Sequence, residues 1–276
     1  MDMLNVKEIA ERLDKSLGDV SIKVFGEIDS TNLEAKRFAA EKGNNRAVFI
    51  AESQTLGRGR FGRSFFSPEG CGIYMSILLP IAAEKIADIT LMTPAAAVAV
   101  CEAMEKVCGK EPQIKWVNDI YIGGKKVCGI LAEAVTDPKR GVISHVVIGM
   151  GINFRDSGDL PEELREIVGT LFGKEDTEIS RNELAAAVIN ELLLMLPNIS
   201  DRRFLKGYRS RSMLTGQEVV FARGDKKHTA IAEDIDDNGA LVVRFEDGSV
   251  EALSSGEVSV RAAASAASLP FPSGSR

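Results

Sequence analysis

Histidine is nearly missing from this sequence: His145 and His228 are the only two in 276 residues. His145 stands in an apolar, strand-like run and His228 among polar residues. That scarcity removes a histidine-built metal centre and a Ser-His-Asp triad, so the chemistry of this chain has to run without imidazole. Cysteine is sparse and scattered. Cys71, Cys101, Cys108 and Cys128 show no Cys-x-x-Cys spacing, which argues against a zinc ribbon or a disulfide framework and for reduced thiols in the cytoplasm. Positive charge is in deficit, with a formal net charge of −6, which argues against a general nucleic-acid binder. No run reaches the ~18 apolar residues of a membrane span. The charged stretch Met1–Lys15 lacks the apolar core of a signal peptide. No internal repeat is found.

Hydrophobic residues make up 45% and charged residues 27% of the chain, a balance that supports a folded core. The length suits one large domain and a small one. Residues 5–15 read as a short amphipathic helix and Ser21–Phe25 as a strand. Ser30-Thr31-Asn32-Leu33-Glu34 opens a second helix, with Thr31 and Glu34 spaced as a capping box and Gly43 as the stop. Ala47–Ala51 and Ile73–Leu79 read as buried strands. Thr93-Pro94 marks a helix start with Thr93 as its cap, and the end falls near Gly109. Lys126–Ala134 and Val142–Asn153 form a strand pair, and Glu183–Leu196 a helix. From Gln217 the pattern changes to short strands, Glu218–Phe221, His228–Ile235, Leu241–Phe245 and Val250–Leu253, joined by tight turns. These predict a small barrel of about fifty residues. The Ala/Ser/Pro-rich stretch from Ala262 to Arg276 reads as a disordered tail.

One loop concentrates unusual chemistry. Gly57-Arg58-Gly59-Arg60-Phe61-Gly62-Arg63 alternates glycine with arginine in an otherwise acidic chain. Glycine lets backbone approach a ligand closely, and arginine offers a permanent charge and a planar fork of donors for carboxylate or phosphate. The loop reads equally as an anion-binding closure or as a solvated, loosely nucleic-acid-binding Arg-Gly segment. Three further segments bear on the choice. Lys115-Trp116-Val117-Asn118-Asp119 contains the only tryptophan; Lys125 and Lys126 lead into Val127-Cys128-Gly129-Ile130-Leu131; Gly149-Met150-Gly151-Ile152-Asn153 ends a strand. Read alone, Ser30, Thr31 and Asn32 are a helix cap, Lys126 a solvated lysine, Trp116 a core anchor and Asn153 a strand end. Gly149-Met150-Gly151 lacks the third glycine and helix start of a dinucleotide site.

Taken in order, Ser30-Thr31-Asn32, Gly57–Arg63, Lys115–Asp119, Lys126–Leu131 and Gly149–Asn153 resemble the biotin protein ligases over residues 22–155. The C-terminal strands resemble that family's SH3-like domain. The resemblance implies an α+β fold: a class II aminoacyl-tRNA-synthetase-like mixed sheet, mostly antiparallel, with helices on one side, plus the small barrel. The corresponding division is residues 1–20 as an N-terminal helix, 21–211 as the catalytic domain, 212–261 as the barrel and 262–276 as the tail. Met1–Val20 is too short for the winged helix that some family members carry, so DNA is not an expected partner.

The implied reaction has two steps. Biotin and MgATP give biotinyl-AMP and pyrophosphate, and the acyl group then passes to a lysine of a biotin carboxyl carrier protein. The resemblance places Ser30, Thr31, Asn32 and Gln54, with Arg58, Gly59, Arg60 and Lys126, around biotin. It places Arg60, Arg63, Phe65, Lys115, Trp116, Asn118 and Asn153 around ATP and the adenylate. Arg58, Arg60, Lys126 and Asp119 are the catalytic candidates. No metal-ligand set is identified, and Mg2+ is expected to be held mainly by the phosphates. This chemistry suits a chain poor in histidine. The attacking carboxylate, of pKa ~4 to 5, needs charge neutralisation and no base. Two positions depart from the family pattern: Phe65 stands for tryptophan, and Val117 for the proline of the Lys-Trp-Pro-Asn-Asp motif. Losing that proline frees φ and restores an N–H, which predicts a looser turn at Asn118 and Asp119. A lipoate or octanoate ligase or transferase of the same fold and a non-catalytic biotin- or adenylate-sensing protein are the alternatives. A homodimer is left open.

Overall fold

The computed structural model describes residues 2–42, 45–174, 177–223 and 226–260. The predicted tail and the expected stop at Gly43 lie outside them. In chain order the elements are α1 (Val6–Ala10), β1 (Ser21–Ile28), α2 (Thr31–Lys42), β2 (Ala47–Gln54), β3 (Gly72–Pro80) and α3 (Met92–Cys108). Then come β4 (Gln113–Lys115), β5 (Asp119–Ile122), β6 (Lys125–Asp137), β7 (Val142–Asn153), α4 (Arg181–Met195) and α5 (Leu205–Ser210). The C-terminal strands are β8 (Glu218–Arg223), β9 (Lys226–Ile235), β10 (Leu241–Arg244), β11 (Val250–Leu253) and β12 (Val258–Val260).

A seven-stranded sheet runs in the order β1-β2-β3-β7-β6-β5-β4. β1 and β2 are parallel, joined through α2 as a parallel pair requires, and every other pairing is antiparallel. The α+β expectation therefore holds. The expectation of helices on one side does not. Period-two alternation sends Val48 and Ile50 of β2 into the large core with α3 and α4, while Ala47 and Phe49 meet Ala35 and Ala39 of α2 on the opposite face. α2 thus covers part of the face that also carries the cleft described below.

The buried helix α3 owes its close packing to small residues, with Ala95, Ala96, Ala97 and Ala99 all fully covered. It starts one residue before Thr93, after a 3-10 stretch Ala83–Leu91, and has no side-chain cap. Pro94 consequently sits in the first turn and Thr93 is not the cap. Gly109, left-handed at φ 59, closes the helix. The helical runs Lys85–Cys108 and Arg181–Asp201 have the length and composition of a membrane span. In this fold the first is largely buried, and α3 and α4 pack on each other and on the sheet.

The C-terminal strands form a second antiparallel sheet, β11-β10-β9-β8-β12. Its fifth strand, Val258–Val260, pairs with Val219–Phe221 and was not expected from the sequence. Hydrogen bonds tie this sheet, and the segment that leads into it, to the larger one. The Trp116 indole N–H donates to the Gly239 carbonyl at 2.9 Å, and Ile114 N–H donates to the Arg211 carbonyl at 2.7 Å.

Candidate active site

The sheet face shared with α2 is stripped of side chains at its centre. Register places Ser76 of β3 beside Gly149 of β7, Gly149 beside Leu131 of β6, and Gly151 beside Gly129. These glycines are required by close approach. A Cβ on Gly149 would lie 2.0 Å from Asn32 Oδ1, and one on Gly151 would lie 2.5 Å from the Phe65 ring. The cavity above this bare strip measures about 210 Å³.

One group of lining residues gathers at the N-terminus of α2. Ser30, Thr31 and Asn32 are all but buried, at 1%, 3% and 4% exposure. Thr31 opens the helix itself, and its N–H and hydroxyl both donate to Gln54 Oε1, at 2.9 and 3.1 Å. The predicted capping box is therefore absent: Glu34 pairs with Arg37, and the threonine hydroxyl is turned into the cleft wall. Gln54 passes on a hydrogen bond to Ser67 Oγ, which donates to the Phe65 carbonyl.

The second group is cationic. Arg58, Arg60, Lys115 and Lys126 all line the cavity. The arginine loop is a hydrogen-bonded turn, with Gly59 N–H donating to the Arg63 carbonyl at 2.7 Å and Phe65 N–H to Gly57 at 2.9 Å. Arg60 donates to Asn118 Oδ1 at 2.9 Å and covers the Phe61 ring at 4.9 Å. Lys126 Nζ stands 2.7 Å from Asp119 Oδ1, an ion pair without hydrogen-bond alignment. Burial pushes the Lys115 ammonium below its ordinary range, against the pull of Asp119. Burial also lowers the Arg60 guanidinium, with Asp119 and Glu257 opposing it; an arginine stays charged regardless. Arg63 reaches the other sheet, pairing both guanidinium nitrogens with Glu257 at 2.6 and 2.8 Å.

The turn at Val117 is tied down, contrary to the looseness expected from the missing proline. The Val117 carbonyl accepts from Tyr208 at 3.0 Å, and Asn118 exchanges hydrogen bonds with Ile130 at 2.9 and 3.0 Å. The Trp116–Val117 peptide is cis. Of the predicted site positions, only Asn153 is not a wall of this cavity. Its amide donates to the Lys126 and Gly169 carbonyls, holding the chain beside Lys126. Sequence reading missed Ser76, Glu133 and Glu257. A single serine inside the largely apolar run Ile73–Leu79 was the available signal for Ser76.

A pocket with hydroxyls and amides in one wall and five cations in another fits an uncharged polar head carrying an anionic tail. Comparison with known proteins gives that class a name. Residues 24–153 match the Biotin/lipoate A/B protein ligase family, and residues 214–261 match the Biotin protein ligase C terminal domain. The chain belongs to this ligase family. It is 32% identical over 267 residues to the bifunctional ligase/repressor BirA of Escherichia coli, covering 95% of this chain and 80% of that protein. Against the biotin–[acetyl-CoA-carboxylase] ligase of Mycobacterium tuberculosis the identity is 30% over 245 residues, covering 86% and 88%. The biotin protein ligase of Aquifex aeolicus, solved with biotin and ATP, superimposes with a TM-score of 0.73 at 28% identity, covering 87% and 98%. Within the family, this chain is a biotin ligase.

Proposed function

We propose that the chain activates biotin with MgATP and delivers it to a lysine of a biotin carboxyl carrier protein. The observation that carries this reading is the meeting of Arg58, Arg60, Lys115 and Lys126 with the Ser30–Asn32 wall in one cavity. In the first step the biotin carboxylate attacks the α-phosphorus. An acyl–phosphate bond forms, and the bond to pyrophosphate breaks. Two anions must be brought together, so positioned positive charge supplies most of the catalysis. Arg58, Arg60 and Lys126 take the catalytic part, and Lys115 and Asn118 the nucleotide side with Phe65. The Arg58–Arg63 loop keeps water from the mixed anhydride.

In the second step the acceptor amine attacks the acyl carbon and AMP leaves. A lysine of pKa ~10.4 is neutral in only about one part in a thousand near pH 7.4, a handicap of ~4 kcal/mol. Asp119 takes the part of orienting that amine, in competition with its pairing to Lys126. Among the described residues no cluster of three His, Cys, Asp or Glu side chains is present. Mg2+ would be held mainly by the ATP phosphates, since the Asp119 carboxylate is already paired with Lys126 at 2.7 Å.

ATP–pyrophosphate exchange with biotin, lipoate and octanoate supplied in turn tests the proposal. Exchange with biotin alone is expected. Exchange with lipoate or octanoate would assign the chain to the other branch of its family, and exchange with none would overturn the adenylating step.

A further inference from the structure

The hairpin that carries Lys115 and Asp119 is gripped from outside the cleft. β4 and β5 pair Lys115 with Asp119, so Trp116, Val117 and Asn118 make a three-residue turn between them. The first turn residue is anchored by its indole to Gly239. The last is held by β6: the Asn118 carbonyl accepts from Ile130 N–H at 2.9 Å, and its side-chain amide donates to the Ile130 carbonyl at 3.0 Å. Two bonds to a single residue act as a hinge line. They keep Asn118 beside β6 but leave the preceding peptide able to rotate about that line. The bond off the line comes from Tyr208, whose hydroxyl donates to the Val117 carbonyl at 3.0 Å. That carbonyl belongs to the peptide between Val117 and Asn118, so holding it fixes how Asn118 enters the cleft.

Tyr208 has no exposure and is not a wall of the cavity. Burial pushes its phenol above the ordinary range, so the hydroxyl stays a neutral donor. Its helix, α5, is itself held on three sides. Gly207, where a Cβ would lie 3.3 Å from Val98, lets α5 lie close against α3. Arg209 donates to the Ile235 carbonyl at 2.6 Å and to Asp237 at 2.8 Å. Arg211 grips both carboxylate oxygens of Glu105 at 2.7 Å, and its carbonyl accepts from Ile114 of β4. The hydroxyl is thus presented from a rigid support. A phenylalanine would fill the same space in the core, and what the oxygen adds is the bond to the turn.

We infer that Tyr208 is a positioning residue for the adenylating step: through the Val117 carbonyl it sets the peptide that presents Asn118, and Asn118 in turn holds Arg60 at 2.9 Å. The inference rests on the ligase reading above and deepens it. A proline at position 117 would restrain φ through its own ring. Valine leaves that restraint to the hydroxyl. Placement of this kind counts because a shift of about 1 Å originating away from the chemistry can cost about 100-fold in rate.

Biotin-dependent pyrophosphate exchange is measured for wild type, Tyr208→Phe, Asn118→Ala and the double variant, each well below its melting temperature, with biotin affinity read by calorimetry. Tyr208→Phe should lower kcat about 10-fold while changing the biotin Kd by less than about threefold, since the hydroxyl and amide wall hangs on α2 and β2. Residues that act as one unit are not additive, so the double variant should fall within about threefold of Asn118→Ala alone. An unchanged kcat in Tyr208→Phe, or losses that multiply in the double variant, would overturn the inference and leave the ligase reading standing. A fall in biotin affinity as large as the fall in kcat would mark a general loosening of the core and overturn it as well. No exchange by wild type would overturn both.

Discussion

Two arginine clusters in this protein are built to opposite ends. Arg181, at the start of α4, is 1% exposed and engaged at all three guanidinium nitrogens. It pairs with Glu52 at 2.6 Å and Asp2 at 3.1 Å, donates to the Gly72 and Asp2 carbonyls, and gives its own N–H to Asp2 at 2.6 Å. Glu52 accepts from Leu4 N–H, and Arg155 adds a second cation to Asp2 at 3.2 Å. Among the described residues, Arg58, with 44% of its side chain exposed, has only a 3.8 Å contact with Glu133, and Arg60 makes one side-chain hydrogen bond, to Asn118. The same side chain serves architecture where its donors are saturated. In the cleft, on the function proposed above, the spare donors serve an anion that comes from outside.

Removing a saturated arginine should cost stability first. Arg181→Ala strands the buried Glu52 and Asp2 carboxylates, and a loss of about 3–5 kcal/mol is expected, read as a lowered denaturation midpoint with unchanged slope. An unchanged midpoint would show that the cluster is incidental. Lys126→Ala reverses the pattern. It should slow biotin-dependent pyrophosphate exchange about 100-fold or more, equivalent to ~2.7 kcal/mol, with little change in melting temperature. Normal exchange in that variant would make Lys126 a surface lysine.

Arg60→Ala should mainly affect retention, releasing or hydrolysing preformed biotinyl-AMP about tenfold faster while the fold is kept. Equal retention together with full transfer would remove the loop from the mechanism. The smallest effect belongs to acid. Burial would raise Asp2, but the Arg181 N–H, the Arg181 charge and the Arg155 charge outweigh it and hold the carboxyl below its ordinary 3.8. A depressed carboxyl contributes fully above its unfolded value and loses that contribution as pH falls through the folded one. The stability gap between wild type and Asp2→Asn, about 1 kcal/mol after allowing for solvent screening, should stay level down to about pH 4 and shrink below it. A gap that holds into stronger acid would show that Asp2 contributes by packing.

The cleft was more legible in the sequence than the cluster behind α4, and distance along the chain explains why. Gly57–Arg63 and Lys115–Asp119 carry their chemistry in adjacent residues. Asp2 and Arg181 meet across 179 positions, and nothing local marks either as the partner of the other. Ser76 and Glu133 were hidden for a related reason. Each sits in a strand, and only register and the space left by Gly149 bring them to Asn32. The opposite placement of α2 was hidden in β2, whose unbroken run of apolar side chains conceals which residues face which layer. Val117 misled for a different reason. Its turn is secured by Tyr208 and Ile130, partners that the loss of a proline ring does not remove.

The bridge from Arg63 to Glu257 makes one contact of the loop sensitive to salt. With side chains 58% and 36% exposed, the pair lies within reach of mobile counterions, whose screening length shrinks from about 30 Å at 0.01 M salt to about 3 Å at 1 M. The hydroxyl and amide wall around Thr31 carries no such dependence. Rising ionic strength therefore weakens this one tie between the loop and the C-terminal sheet while leaving the uncharged hydrogen bonds around Thr31 as they are.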